Sequence, residues 1–263
     1  MTLPTLFLSH GSPTLVIDPS AARTFLEGLS GLVPRPRAIL VISAHFNASQ
    51  PTLTASRQPD TIHDFRGFPD ALYQLQYPSP GAHALAADVA SLLREAGFDA
   101  VTDGERGLDH GAWIPLMLAW PDADIPVLQL SISMTHSPEW HYRLGQALQP
   151  LREEGVLIIG SGGATHNLRA FFTQRPGLDT PPPPWVTDFA EWLAGRIEAG
   201  DHEAVLAAVQ TGPHGQDNHP SMDHILPLFV ALGAGGAGPG KRLHKSTTYG
   251  ILAMDAYSFG EAA

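Results

Sequence analysis

Thirteen histidines and no cysteine define the chemistry open to this 263-residue chain. Imidazole is neutral near pH 7 and offers one lone pair, so it serves both as a metal ligand and as a proton carrier. Without cysteine there is no disulfide framework, thiolate zinc site, iron–sulfur cluster or cysteine nucleophile. Any metal must sit on histidine, carboxylate or water, a donor set suited to Zn(II) or Fe(II). Three histidines follow short apolar, β-rich runs. His10 follows Thr5–Ser9 (TLFLS) and His45 follows Ala38–Ser43 (AILVIS). His166 follows Val156–Ser161 (VLIIGS) after a Gly-Gly turn. One histidine at a strand end is commonly an ordinary loop residue. Three at the same sheet edge argue for a metal or proton-transfer site.

Three more histidines sit in tight motifs. His110 lies in GLDHGAWIPL, and His219 and His224 lie in DNHPSMDHILPL. On a single helix two residues five apart point about 140° away from each other, so His219 and His224 cannot both bind one ion from within that helix. Pro220 predicts the helix start. His224 then falls on the first turn as a ligand candidate. His219 falls in the loop before it, as a substrate or supporting group or as a neighbour of the helix cap. His136 is expected to cap the next helix or lie near the site. His83, His141 and His202 fall on predicted helices among polar residues and are expected at the surface. His63, His214 and His244 carry no assignment. The loop His63–Gly81 holds Phe65, Phe68, Tyr73 and Tyr77. These suit a wall over an aromatic ring. For Phe65 and Phe68 ordinary loop packing accounts for them at least as well. Arg66 could meet a substrate carboxylate, with a surface role preferred.

The elements that must position these groups are a fourth buried strand, Ile125–Ser131, and a series of helices. The apolar spacing predicts helices over Ala82–Ala96, Pro138 to about Leu151, Trp185–Ala199, His202–Val209 and about Ser221–Leu232. Pro181–Pro184 and Gly233–Gly240 read as loops. Ser246–Phe259 reads as strand, as an antiparallel edge or hairpin. Strand–helix alternation predicts a three-layer α/β fold with a mainly parallel sheet flanked by helices, as one catalytic domain over residues 1–263. In such sheets ligands bind beyond the carboxyl ends of the strands, where His10, His45 and His166 fall. With 15 basic and 26 acidic residues the net charge is −11, which argues against nucleic acid as a partner. No apolar run reaches the roughly 20 residues that span a bilayer. The first residues lack the features of a signal peptide, so a cytoplasmic protein is expected. The sequence does not fix an oligomeric state.

SHGSP, SAHF, HDFRGFPDALYQLQYPSPG, GLDHGAWIPL, PVLQLSI, GSGGATHNLRAF and NHPSMDHILPL occur in this order. On these motifs the chain resembles the DODA-type extradiol aromatic ring-opening dioxygenases, the DOPA-4,5-dioxygenase branch of the class III superfamily, from Leu6 to about Phe259. The resemblance implies cleavage of a small-molecule catechol beside its two hydroxyls, using O2 and a mononuclear non-haem Fe(II), with Zn(II) also found in such sites. It assigns His10 and His45 as metal ligands and His224 as the third. His166 is implied as a catalytic base or a further ligand, and His110 as a substrate-side acid–base or hydrogen-bonding group. Non-haem Fe(II) oxygenases usually pair two histidines with a carboxylate. Here the third ligand is histidine, with Asp223 beside it as a substitute or a supporting group.

The chemistry suits that inventory. A catechol must lose one or two protons to chelate a metal, and a histidine near neutral pKa can take the second. Oxygen addition, ring expansion to a lactone and hydrolysis then yield a hydroxymuconic semialdehyde. Two other readings stand beside it: a zinc hydrolase, and a non-catalytic metal-binding relative on the same fold. HExxH, GxSxG and P-loop motifs are absent, which weakens the first. The presence of both His110 and His166 weakens the second.

Overall fold

The apolar runs form strands whose two faces are both covered, so neighbouring residues point into different cores. A computed structural model describes residues 2–260. The strands are β1 (Thr5–Ser9), β2 (Ala38–Asn47), β3 (Thr52–Thr54), β4 (Val101–Asp103), β5 (Val127–Ile132), β6 (Val156–Gly162), β7 (Gly240–His244), β8 (Thr247–Thr248), β9 (Leu252–Ala253) and β10 (Ala256–Phe259). Eight of them form one sheet in the order β4-β3-β5-β2-β6-β1-β10-β7. The central pairs β5–β2, β2–β6 and β6–β1 are parallel, and β10 joins β1 antiparallel.

The helices are α1 (Ala21–Gly28), α2 (His83–Glu95), α3 (His110–Ala119), α4 (Pro138–Ala147), α5 (Pro150–Glu153), α6 (Leu168–Gln174), α7 (Pro184–Glu198), α8 (His202–Leu206), α9 (Ala208–Thr211), α10 (Gly215–Asn218) and α11 (Leu226–Gly235). On one face Leu40, Ile42, Leu130 and Ile158 meet α2, α4, α7 and α11. On the other, Ile39, Val41, Leu157 and Ile159 meet α1 and α3. This period-two division is the three-layer α/β architecture that the strand–helix alternation predicts.

Several boundaries differ from expectation. The last helix begins at Leu226 and runs through Gly235. Pro220 therefore does not open it, and His224 lies in the turn before it. All ten residues of α11 are buried, so its first three glycine-region residues continue an apolar helix where a loop was expected. The expected C-terminal strand is broken into β8, β9 and β10, and β7 rather than β10 forms the sheet edge. Helices α1, α3, α6 and α10 lie outside the expected set, although Ser20 and Asn167 cap α1 and α6. In α3 nine of ten residues are buried, so no polar stripe marks its period.

His141 corrects the surface assignment. It is fully buried, accepts the Ser133 N–H at Nε2 (3.1 Å) and donates from Nδ1 to the Ser137 carbonyl (2.9 Å). It ties the end of β5 to the start of α4. Burial holds its pKa down at about 4. Unfolded histidine titrates near 6.5, so between these values the unfolded chain binds the extra proton. Stability is therefore complete above pH about 6.5 and falls as pH drops toward 4, by up to about 3 kcal/mol from this residue. Urea unfolding of metal-free protein should show that loss between pH 6.5 and 4.5. The slope should be reduced in His141→Gln. Equal pH dependence in the two proteins would contradict it.

Candidate active site

The floor of the site is built where β1, β2 and β6 end side by side. In register, Ser9 pairs with Gly162, and Ser43 pairs with Ser161. His10 follows β1 directly, and its N–H donates to the Gly162 carbonyl (3.0 Å). His45 lies inside β2, not beyond it. Between Ser43 and Asn47 the pairing with β5 slips, so Ala44, His45 and Phe46 bulge out of the ladder. Such bulges re-aim a side chain next to a site.

The SGGATH segment after β6 is clamped from several sides. The Ala164 N–H donates to Ser9 Oγ (3.0 Å), Thr165 Oγ1 donates to the Ile251 carbonyl (2.7 Å), and the His166 N–H donates to the Asn218 carbonyl (2.9 Å). His224 is brought in by a close backbone approach. A Cβ at Gly162 would collide with the His224 carbonyl, and one at Gly160 with the Pro227 carbonyl. The Gly163 N–H donates to that same His224 carbonyl (2.9 Å).

Five imidazoles converge. Ring centroids of His10, His45 and His224 lie 5.0–5.3 Å apart in every pairing. His110 lies 3.9 Å from His45, and His166 stacks on His224 at 3.4 Å. Nitrogen atoms of His10, His45 and His110 form one compact group of potential ligands, and those of His166 and His224 with an Asp223 oxygen form another.

Hydrogen bonding fixes one tautomer. Ser161 Oγ donates to the Gly111 carbonyl, so it can only accept from His10 Nδ1, at 2.9 Å. The lone pair of His10 is then on Nε2, which faces His45 Nε2 at 3.0 Å. Two ring nitrogens at this separation, one committed as an acceptor, suit a shared cation. Burial, followed by the neighbouring imidazoles, holds the pKa values of His10 and His45 well below the ordinary histidine range. Both are therefore neutral and able to coordinate at physiological pH.

Carboxylates support the rings from outside. Asp64 lies 3.0 Å from His110 Nδ1 and Asp223 lies 3.0 Å from His224 Nδ1. Burial opposes ionisation of both, but their histidine contacts prevail and hold each below the usual carboxylate range. Asp109, wholly buried, ties two elements together. It accepts from Ser43 Oγ (2.6 Å), Gln129 Nε2 (2.8 Å) and the Arg106 guanidinium (3.2 Å). Arg106 also donates to the His45 carbonyl (3.2 Å), so the bulge and the start of α3 share one ion pair.

A cavity of about 370 Å³ opens above the imidazoles. His45, His110, His166 and His224 line its floor, and Phe65, Phe68, Leu168, Phe171, Phe172 and Leu252 line its walls. The loop aromatics divide against expectation. Phe65 and Phe68 face the cavity, whereas Tyr77 is buried in the core and donates to the Trp120 carbonyl (3.0 Å). Arg66 is exposed, in keeping with the preferred surface role, and stands at the rim of the cavity. His219 does not line the cavity. It is buried behind the SGG turn with Nε2 on the Ala164 carbonyl (2.9 Å), which fits a positioning role in place of the expected substrate contact. His136 is exposed and stacks on Trp140, on α4.

Sequence reasoning missed Asp64, Asp109 as a buried hub, and the α6 wall. The HDF and LDH tripeptides carried the two aspartates, but only the fold reveals that they face histidines from other segments.

Removing the Asp109 charge should destabilise the fold, because Arg106, Ser43 and Gln129 would all lose their acceptor. Asp109→Ala is expected to cost about 3 kcal/mol in denaturant unfolding of the metal-free protein. It should also weaken Zn(II) binding by about 10–100-fold through the displaced bulge. A loss under about 1 kcal/mol with unchanged affinity would contradict the hub role.

Residues 4–260 match the family described as "Catalytic LigB subunit of aromatic ring-opening dioxygenase". The chain is 45% identical to a 4,5-DOPA dioxygenase extradiol of Beta vulgaris, over 97% of this chain and 96% of that protein. It is 40% identical to one of Escherichia coli K12, over 88% of this chain and 85% of that protein. A crystal structure of an uncharacterised Escherichia coli K12 protein superposes with a TM-score of 0.79 at 33% identity, covering 98% of this chain and all of that one. The chain belongs to the LigB family of aromatic ring-opening dioxygenases.

Proposed function

We propose that residues 1–263 act as one catalytic unit that opens a catechol ring with O2 in the extradiol position, giving a hydroxymuconic semialdehyde. The observation that carries this reading is the His10–His45 pair of facing Nε2 atoms beside three further imidazoles, under an aromatic-walled cavity. The names of the relatives, 4,5-DOPA dioxygenases, support a catechol such as DOPA as the substrate.

The donor set fits a divalent metal. His10, His45 and His224 would hold it, with His166, stacked on His224, as a further ligand or as a group that acts on substrate. A redox-active divalent metal such as Fe(II), held by these residues, would lower the catechol pKa and supply the electron transfer that dioxygen chemistry requires. The protein's own groups do the rest. Phe65 and Phe68 from the loop and Phe171 and Phe172 from α6 line the cavity and offer apolar faces to a flat ring. His110 and His166 face the cavity and exchange protons with the catechol hydroxyls and the opening product. Asp223 holds His224 from the side of Nδ1 and supports a ligand instead of replacing one.

Anaerobic loading with Fe(II), followed by O2 and a panel of catechols including DOPA, should give a yellow ring-opened product heavier than substrate by both atoms of O2. Iron-loaded protein that opens no catechol in the panel would sink this reading. His45→Ala should lose metal. His110→Ala should keep metal and lose about 10²–10⁴ in turnover. Equal metal loss in both variants would show the roles to be wrongly divided.

A further inference from the structure

We propose that Asp64 is a positioning residue for His110: it keeps the proton of that imidazole on Nδ1, so that Nε2 presents its lone pair to the cavity. The inference deepens the proposed function, since it rests on His110 as the group that accepts a substrate proton.

Three contacts of one carboxylate carry it. Asp64 Oδ1 accepts the backbone N–H of His110 at 2.9 Å and lies 3.0 Å from His110 Nδ1. Its Oδ2 faces His45 Nδ1 at 3.8 Å. Asp64 thereby caps α3, a task that Asp109, the residue at the cap position, does not perform. Asp109 is engaged by Ser43, Gln129 and Arg106 instead. A capping carboxylate is anchored by a donor that cannot titrate, so its place beside the ring does not depend on the ring's own hydrogen bond.

Electrostatics selects the tautomer. Among the described residues Asp64 pairs with no lysine or arginine, so its charge is directed at the two imidazoles. An ionised carboxylate 3.0 Å from Nδ1 favours a hydrogen there, and neutral imidazole has one N–H to give. The two nitrogens of His110 are also unlike in surroundings. Nδ1 is shut away from solvent, whereas Nε2 makes no hydrogen bond among the described residues, and the ring lines the cavity. The approach of Nδ1 to Asp64 is oblique and makes no well-aligned hydrogen bond. The charge, more than a directed bond, does the selecting.

The carrier of Asp64 is firmly held. The Ile62 N–H donates to the Leu108 carbonyl (2.8 Å), and Trp113 Nε1 donates to the Ile62 carbonyl (3.0 Å). His63 Nε2 bonds the Leu75 carbonyl (3.0 Å). The next residue, Phe65, is part of the cavity wall. One short loop thus sets both the wall against which a ring would lie and the orientation of the base beside it.

The test uses Zn(II)-loaded protein labelled with ¹⁵N-histidine, with His110 signals assigned by difference from His110→Ala. Wild type should show His110 with Nδ1 protonated and Nε2 unprotonated. Asp64→Asn keeps an oxygen to cap α3 but removes the charge, and its His110 should shift to Nε2–H with metal content unchanged. In the Fe(II) enzyme the same variant should lose about 10–100-fold in kcat with KM within about threefold, and Asp64→Glu should recover part of it. Wild-type His110 carrying its proton on Nε2, or an unchanged tautomer in Asp64→Asn, would overturn the proposal. The tautomer is read without turnover. Failure of wild type to open any catechol would therefore count against the proposed function alone.

Discussion

The site depends on β6 having no side chains where another segment must touch it. Gly160 and Gly162 are two apart, so both face the same side of the strand. On that side the carbonyls of Pro227 and His224 lie where Cβ atoms would be. This is what allows α11 and the turn before it to rest directly on the sheet. A methyl group at either position would force the helix outward, at about 1–3 kcal/mol for an overfilled core. His224 would move with it, away from His10 and His45. The strand supplies the edge on which three histidines gather, and its two missing side chains admit a fourth from a segment about sixty residues later in the chain.

Charge at the floor follows from the same assembly. Burial keeps His10, His45 and His166 from protonating, so none of them opposes a cation. Asp64 and Asp223 remain ionised beside His110 and His224. Asp109 contributes little further charge because Arg106 neutralises it. Neutral donors surrounded by two unneutralised carboxylates form a floor complementary to a divalent ion. The negative charge sits one atom layer behind the ligands, while the ligands themselves are neutral. That arrangement suits the proposed histidine in the third ligand position, where many non-haem iron sites have a carboxylate.

Much of the fold was legible in the sequence, because buried parallel strands are short, β-branched and bounded by small residues. The edge histidines His10 and His166 followed from those strand ends. His45 was found for the right motif but the wrong local reason, since a bulge inside β2 carries it and bulges leave no periodic trace. The start of α11 differs from expectation because Pro220 resembles a helix start, whereas the helix opens at Leu226 with Pro227 as its second residue. The surface expectation for His141 fails for a general reason, and His219 takes the supporting one of its two expected roles. Polar neighbours in sequence say nothing of a carbonyl or N–H brought from another element, and each ring found one. Asp223, next to His224 in the chain, is legible as a supporting group, whereas Asp64 and the hub role of Asp109 are not, for the same cause. Asp64 meets His110 across 46 positions, and Ser43 meets Asp109 across 66.

Helix α6 has no buried residue, although Leu168, Phe171 and Phe172 face the cavity from it. It is held by less buried apolar surface than the strands beneath the site, so its local unfolding costs less free energy. The imidazole floor, by contrast, is set in the ends of fully buried strands. Access and chemistry therefore reside in parts of very different stiffness. Local stability should therefore be lowest at the entrance and highest at the floor, so a guest could pass the one without loosening the imidazoles of the other.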